Sequence, residues 1–230
     1  MTPHATASHL ERRRTLPRGR AERFTGYGAV GVPFTSGHLL AFRRFASSSI
    51  GPPFTSVWHR DPEGRWTFYV DVEPAYACPR YFGPALHAVH SHDIDIEWCG
   101  SHALALHVPG ADLHWSLRLS TSPLSITLGM LARFTPDPLW RAPGLPEAIG
   151  PAGGTLLGTG VMRLRGHAPA GQPYIVHPTR LWHVAASTAQ LGGLDLGTDT
   201  ISDRSAQLGD FILPRRGLFA AGSEVFQTLS

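Results

Sequence analysis

Four chemically capable side chains lie close together in a proline-bounded segment of this sequence. They are Glu73, Cys78, Arg80 and Tyr81. An arginine can clamp a carboxylate or an enolate through its planar fork, and a glutamate or a tyrosine can move a proton. Their proximity predicts acid–base chemistry on a small carboxylate or carbonyl compound. Cys78 is a less suitable nucleophile, because prolines and bulky apolar residues surround it.

A predicted β-hairpin positions this segment. The first strand ends near Trp58, the turn is Asp61-Pro62-Glu63-Gly64, and the second strand alternates apolar and polar residues up to Val70. His59 lies beside the turn and is a third candidate for moving a proton. The alternative interpretation is that His59 is an ordinary surface histidine with no catalytic role. Arg80 also has an alternative, an ion pair with Glu73 or Asp71 that fixes the loop.

The rest of the chain predicts a mainly β fold. Nine or ten short strands, with turn residues every eight to twelve positions, indicate an antiparallel barrel, closed or cone-like, or a sandwich. The best helix candidate covers residues 125–134, and the proline- and glycine-rich segment 135–154 is expected to cross the barrel as a flap. We expect few, short helices and a single β-barrel domain at residues 24–230.

A barrel of this size can enclose a small apolar ligand between aromatic side chains. Arg43 and Arg44 lie within an apolar strand, so either they face water or one of them points into the cavity. The candidate ligand-binding residues, from the hairpin and from the two arginine-containing strands, are Trp58, Phe68, Arg43, Arg180 and Trp182.

Composition restricts the chemistry and the partners. All twenty basic residues are arginines, so no lysine can form a Schiff base. Residues 1–23 carry six arginines and predict a disordered tail, while no basic nucleic-acid motif continues beyond them. No apolar run reaches the length of a membrane span. We expect a cytoplasmic protein that binds a small molecule and binds neither nucleic acid nor a membrane. The composition leaves open whether the protein forms homo-oligomers.

Two further motifs have functional and structural interpretations. Asp93, Asp95 and Glu97 share one strand face, which lines a cavity or, more simply, faces water. His90 and His92 also share a face and could bind a metal, but no third ligand has matching spacing. Nucleotide-binding glycine loops are absent from the sequence, and we expect neither a cofactor nor a metal.

Three segments resemble the acetoacetate decarboxylase family in the same order. They are FYVDVEPAYACPRYFG at 68–83, HPTRLW at 177–182 and LGDFILPR at 208–215. The resemblance implies a curved antiparallel sheet, closed into a cone-like barrel around a buried active site. It places Glu73 and Arg80 at matching motif positions. The family's Schiff-base lysine is missing here, so the resemblance implies a divergent member with different chemistry.

The sequence therefore predicts a cofactor-independent enzyme of lyase, isomerase or cyclase type that acts on a small apolar carboxylate or carbonyl compound. Glu73, Arg80, His59 and Tyr81 are its candidate catalytic residues. One alternative is a non-catalytic binding protein for a lipid, terpenoid or polyketide. The second is a histidine-based metal enzyme.

Overall fold

The protein is mainly β, as the sequence predicts. The computed structural model describes residues 1–136, 140 and 144–228, with the backbone alone at 145–147. The strands are β1 (Glu22–Pro33), β2 (Leu39–Ser48), β3 (Phe54–Arg60), β4 (Trp66–Val70), β5 (Ala88–Ser91), β6 (Asp95–Trp98), β7 (Ala103–Val108), β8 (Leu113–Ser120), β9 (Arg165–His167), β10 (Pro173–Leu191), β11 (Leu194–Thr198), β12 (Gln207–Leu208), β13 (Phe211–Ile212) and β14 (Leu218–Phe226).

The described helices are few, as the sequence predicts, although three of them run for eleven or twelve residues. The α-helices are α1 (Pro3–Arg13), α2 (Pro79–Phe82), α3 (Pro123–Phe134) and α4 (Leu145–Leu156), and short 3-10 turns cover Pro74–Tyr76, Gly83–Ala85 and Pro109–Ala111. None of the helices within the described ranges is long and apolar enough to cross a membrane.

Twelve of the described strands form one curled sheet with the order β5-β4-β3-β2-β1-β14-β10-β8-β7-β6, in which β9 and β11 also pair with β10. Strands β12 and β13 pair with each other in a separate hairpin. The predicted closed antiparallel barrel is wrong, because the sheet is a half-barrel with mixed pairing. Strands β4 and β5 pair in parallel, and β5 and β6 are opposite ends of the sheet order. Closure depends on pairing between distant strands, which the alternation within one strand does not encode.

Two helices distinguish the two faces of the sheet. The α1 face carries Phe42 of β2 and Trp115 of β8, whose rings meet edge to face with centroids 5.7 Å apart. The α4 face carries Phe24, Trp58 and other aromatic side chains beneath the β12–β13 hairpin and α4. Because successive residues of a strand point to opposite faces, each central strand is apolar on both sides.

Helix α3 covers an open edge of β10. Strand β9 pairs with β10 only at 173–175, and β8 pairs with it only from His183 onward. The intervening edge contacts α3, where His177 Nε2 lies 2.9 Å from the carbonyl oxygen of Ala132. The indole of Trp140 donates to the carbonyl of Val176 at 3.1 Å and stacks on His177. Trp140 therefore covers the edge of β10 at Val176 and His177.

The N-terminal segment is not the disordered tail that its arginines predict. Thr2 caps α1, Pro3 occupies the first turn, and Ala7 is buried against the sheet. Glu11 fixes the helix by accepting from Arg44 at 2.9 Å and 3.2 Å. Composition missed this helix because its partners lie in β1 and β2, not in the helix itself.

Helix α4 replaces part of the predicted flap. It contains Gly150, Pro151, Gly153 and Gly154, which are weak helix formers. A Cβ atom at Gly154 would overlap the carbonyl oxygen of Gly160, so the glycine lets the following segment pack directly on the helix. Residues 137–139 and 141–143 of the predicted flap lie outside the described residues.

Candidate active site

An apolar cavity lies on the α4 face of the sheet. It has a volume of about 90 Å³, several times the 10–15 Å³ or so that one water requires. Strands β10 and β14 form its floor, while α3, α4 and the β13 segment cover it. Its wall includes Leu128, Trp140, Leu157, Val176, Leu181, Phe211, Leu218 and Arg43. A small apolar molecule matches this lining.

Arg43 places a buried positive charge in the cavity wall. Its side chain is only about 10% exposed, and Nη1 lies 2.5 Å from Oε1 of the equally buried Glu224. The guanidinium carbon lies 5.6 Å from the centre of the Phe211 ring and 5.9 Å from that of Trp58. Arg43 Nε is buried without a hydrogen-bond partner in the described part of the chain. A ligand oxygen could satisfy that donor.

Glu224 is a carboxylate in an environment that favours its neutral form. Burial raises the pKa of Glu224, while Arg43 opposes that rise. A recess of about 20 Å³ beside Glu224 shares Arg43, Val176 and Ala220 with the apolar cavity. The carboxyl group therefore lies next to the cavity rather than in solvent, which suits a group that stores and transfers a proton.

Cys78 lies in the same buried region. Burial raises the pKa of its thiol to about 12, and the charge of Glu224 contributes in the same direction. The thiol stays protonated at neutral pH, which disfavours nucleophilic attack.

Trp58 and Phe68, two predicted ligand-binding residues, lie behind Arg43 instead of in the cavity wall. Their rings stack with centroids 4.6 Å apart, and both are buried. The predicted hairpin that carries them is confirmed as β3 and β4. The Trp58 ring packs against the guanidinium of Arg43, and Phe68 packs on Trp58. Their predicted contact with a ligand stays untested.

Arg80 and Tyr81 converge on Glu22 at the start of β1. Arg80 donates to both oxygens of Glu22, at 2.7 Å and 3.2 Å, and the Tyr81 hydroxyl donates to it at 2.5 Å. Burial acts to raise the pKa of Glu22, but the hydrogen bonds from Arg80 and Tyr81 outweigh it and lower the pKa. Arg80 therefore forms an ion pair, as the alternative interpretation predicts. Its partner is Glu22 and not Glu73 or Asp71.

Glu73 and His59 lie apart from the cavity. Glu73 is exposed at the start of the first 3-10 turn, and His59 is buried with its Nε2 2.8 Å from Nδ1 of His38. Burial lowers the pKa of His59 to about 4, and His38 adds to the effect. Neither residue, nor Arg80, is among the described residues of the cavity wall. Their catalytic roles stay predictions.

Arg180 and Trp182 line a different depression, between α3 and the N-terminal residues. This groove holds about 520 Å³ and includes His102, Met130 and Arg133. Burial, reinforced by Arg133, lowers the pKa of Arg180. The structure therefore separates Arg180 and Trp182 from Arg43.

Within the described ranges, no group of three or more His, Cys, Asp or Glu side chains could hold a metal ion.

Sequence reasoning missed Glu224. Its signal is a single acidic residue in the apolar segment 218–226, which forms the last strand. A lone glutamate in such a segment also fits the water-exposed face of an edge strand. Only the pairing of β14 between β1 and β10 shows that this strand is central.

The comparisons with known proteins include a structural resemblance. No family model matches the sequence, and no curated protein matches it. The chain is similar to the crystal structure of acetoacetate decarboxylase from Legionella pneumophila, with a TM-score of 0.36 and 8% identity over 94% of this chain and 89% of that chain. Membership of that family stays a prediction.

Proposed function

We propose that the apolar cavity binds a small apolar carboxylate or carbonyl compound, and that Arg43 orients its oxygen atoms. The observation that carries the proposal is the buried Arg43 in an otherwise apolar wall, with Nε lacking a partner in the described part of the chain. Charged side chains are seldom buried without a reason, because removing them from water is costly. A ligand oxyanion would complete the hydrogen bonding of the guanidinium.

In this proposal the protein is an acid–base enzyme of lyase, isomerase or cyclase type that needs no cofactor. Glu224 takes a proton from, or gives a proton to, a carbon next to the ligand's carbonyl group. Arg43 stabilises the negative charge that develops on the enolate oxygen. The raised pKa of Glu224 supports this role, because proton transfer is most efficient when the pKa lies near the working pH.

Binding can be tested with a series of straight-chain alkanoates, measured by isothermal titration calorimetry. We expect Arg43→Met to weaken alkanoate binding at least about tenfold, equivalent to about 1.4 kcal/mol. Arg80→Met is the matched control, since its arginine pairs with Glu22 outside the cavity wall. The double variant Arg43→Met/Glu224→Gln avoids leaving a buried charge unpaired. Equal affinities in the folded double variant and the wild type would refute the role of Arg43.

Catalysis can be tested separately by proton exchange. A 2-alkanone incubated in D2O with the protein should lose its α-proton NMR signals, and Glu224→Gln should abolish the protein-dependent rate. The non-catalytic alternative, a lipid, terpenoid or polyketide carrier with the same cavity, predicts binding without exchange. Exchange that persists in Glu224→Gln would remove Glu224 from the mechanism.

A further inference from the structure

A second depression lies on the opposite face of β10 from the apolar cavity. Ile175 and His177 line it, whereas Val176 between them faces the cavity. We call it the arginine cleft, and define it by Arg18, Arg20, Arg23, Arg165, Ser223 and Gln227 of its wall. It holds about 300 Å³. Trp140 lies between the cleft and the cavity and contributes to both walls.

The described wall of the cleft contains four arginines and neither an aspartate nor a glutamate. Arg18 and Arg165 have interactions of their own, so we rest the proposal on Arg20 and Arg23. Arg20 is exposed. A recess that concentrates positive charge in this way attracts anions by focusing the electrostatic field.

Arg23 is held in place by neutral groups. Its Nε donates to the carbonyl oxygen of Ala21 at 3.0 Å, and its Nη1 donates to that of Pro17 at 3.1 Å. Carbonyl oxygens orient the guanidinium without neutralising it. By contrast, Arg43 and Arg80 are paired with carboxylates. Arg23 is therefore ordered in advance for an anion that has yet to bind.

Neutral donors complete the wall. Ser223 of β14 supplies a hydroxyl group, and Gln227, just after β14, supplies an amide group. Arginine forks together with hydroxyl and amide donors match the several oxygens of a phosphate group. A carboxylate would occupy only part of such a donor set.

We propose that the arginine cleft binds a small molecule with two or more phosphate groups. The enclosed shape favours a compact anion over a nucleic-acid strand, which needs an extended basic track. The site is independent of the proposed acid–base function, since it lies on the other face of β10. It also gives the arginine-rich residues 18–23 a role, which their composition alone left open.

The test is calorimetric titration with pyrophosphate at low salt, with inorganic phosphate as the weaker probe. We expect Arg20→Gln to weaken pyrophosphate binding about threefold to tenfold, and Arg20→Gln/Arg23→Gln to weaken it by more than tenfold. The matched control is Arg118→Gln, which removes an equal charge from an exposed position on β8. The double variant Arg43→Met/Glu224→Gln should leave pyrophosphate affinity unchanged, which separates this site from the cavity.

Two outcomes would overturn the proposal. The first is wild-type protein that does not bind pyrophosphate. The second is a single-stranded RNA oligonucleotide that binds through Arg20 and Arg23 while pyrophosphate fails to compete.

Discussion

Two neighbouring arginines show how strand geometry separates like side chains. Arg43 points to the α4 face and meets Glu224, whereas Arg44 points to the α1 face and meets Glu11. Successive side chains of a β-strand point to opposite faces of the sheet, so these two neighbours in β2 must point apart. The partner of each arginine comes from a segment far away in sequence. Consequently, one arginine lies in a cavity wall and the other fastens a helix.

At the same scale, we predict that His59 makes stability depend on pH. Its pKa falls from 6.5 in the unfolded chain to about 4 in the folded protein. Between these values the unfolded state binds more protons, so stability is fully present above pH 6.5 and is lost as the pH falls towards 4. The loss amounts to about 3 kcal/mol.

This prediction is measured by urea unfolding at several pH values. His59→Gln should flatten the dependence of the unfolding free energy on pH between 6.5 and 4, whatever its effect on absolute stability. The exposed His114→Gln serves as the control and should retain the wild-type slope. An unchanged slope in His59→Gln would show that its protonation is not linked to folding.

At the scale of elements, the bending of β1 depends on close backbone approach. Strand β1 pairs with β2 through two register shifts, and with β14 without interruption. A Cβ atom at Gly28 would overlap the carbonyl oxygen of Phe42, and one at Gly26 would overlap that of Arg44. Backbone atoms cannot rotate away as a flexible side chain can. The glycines therefore permit the curl that brings Phe42 towards Trp115.

We predict that Gly28→Ala lowers the free energy of unfolding by about 2–3 kcal/mol, as overpacking against fixed backbone does. Gly83→Ala is the matched control, because a Cβ atom there has no neighbour within 4 Å. It should change stability by less than about 0.5 kcal/mol. Both values come from denaturant unfolding, and equal stabilities of the two variants would contradict this account of β1.

At the scale of the whole molecule, one sheet connects the segments from β1 to β14. The first and last strands pair with each other over Glu22 to Val30. The N-terminal half therefore cannot unfold without exposing the edge of the C-terminal half. This continuity supports the predicted single domain, which stays a prediction, as does a cytoplasmic location.

The continuous sheet predicts one cooperative unfolding transition. Far-UV circular dichroism follows the whole sheet, while tryptophan fluorescence reports Trp58 and Trp66 at one end and Trp115 near the other. Their urea unfolding curves should superimpose. Phenylalanine replacements of Trp58 and Trp115 would assign the fluorescence to each end. Separate midpoints for the two ends would show two folding units.

The sequence by itself determined the features that depend on neighbouring residues. Alternation identified β4, turn chemistry placed the hairpin at Asp61–Gly64, and the missing lysine excluded a Schiff base. Helical spacing located α3 to within two residues of its start, at Pro123. These signals are local, because side-chain period and turn conformation act over a few residues.

Only the tertiary structure decided which charged groups meet. It paired Arg43 with Glu224 across about 180 positions of sequence, paired Arg80 with Glu22, and left Glu73 exposed to solvent. It also showed that the sheet is a half-barrel instead of a closed barrel, and that residues 3–13 form helix α1. Strand pairing, closure and burial depend on contacts between distant segments, and the pKa of Glu224 follows from that burial rather than from its neighbours in sequence.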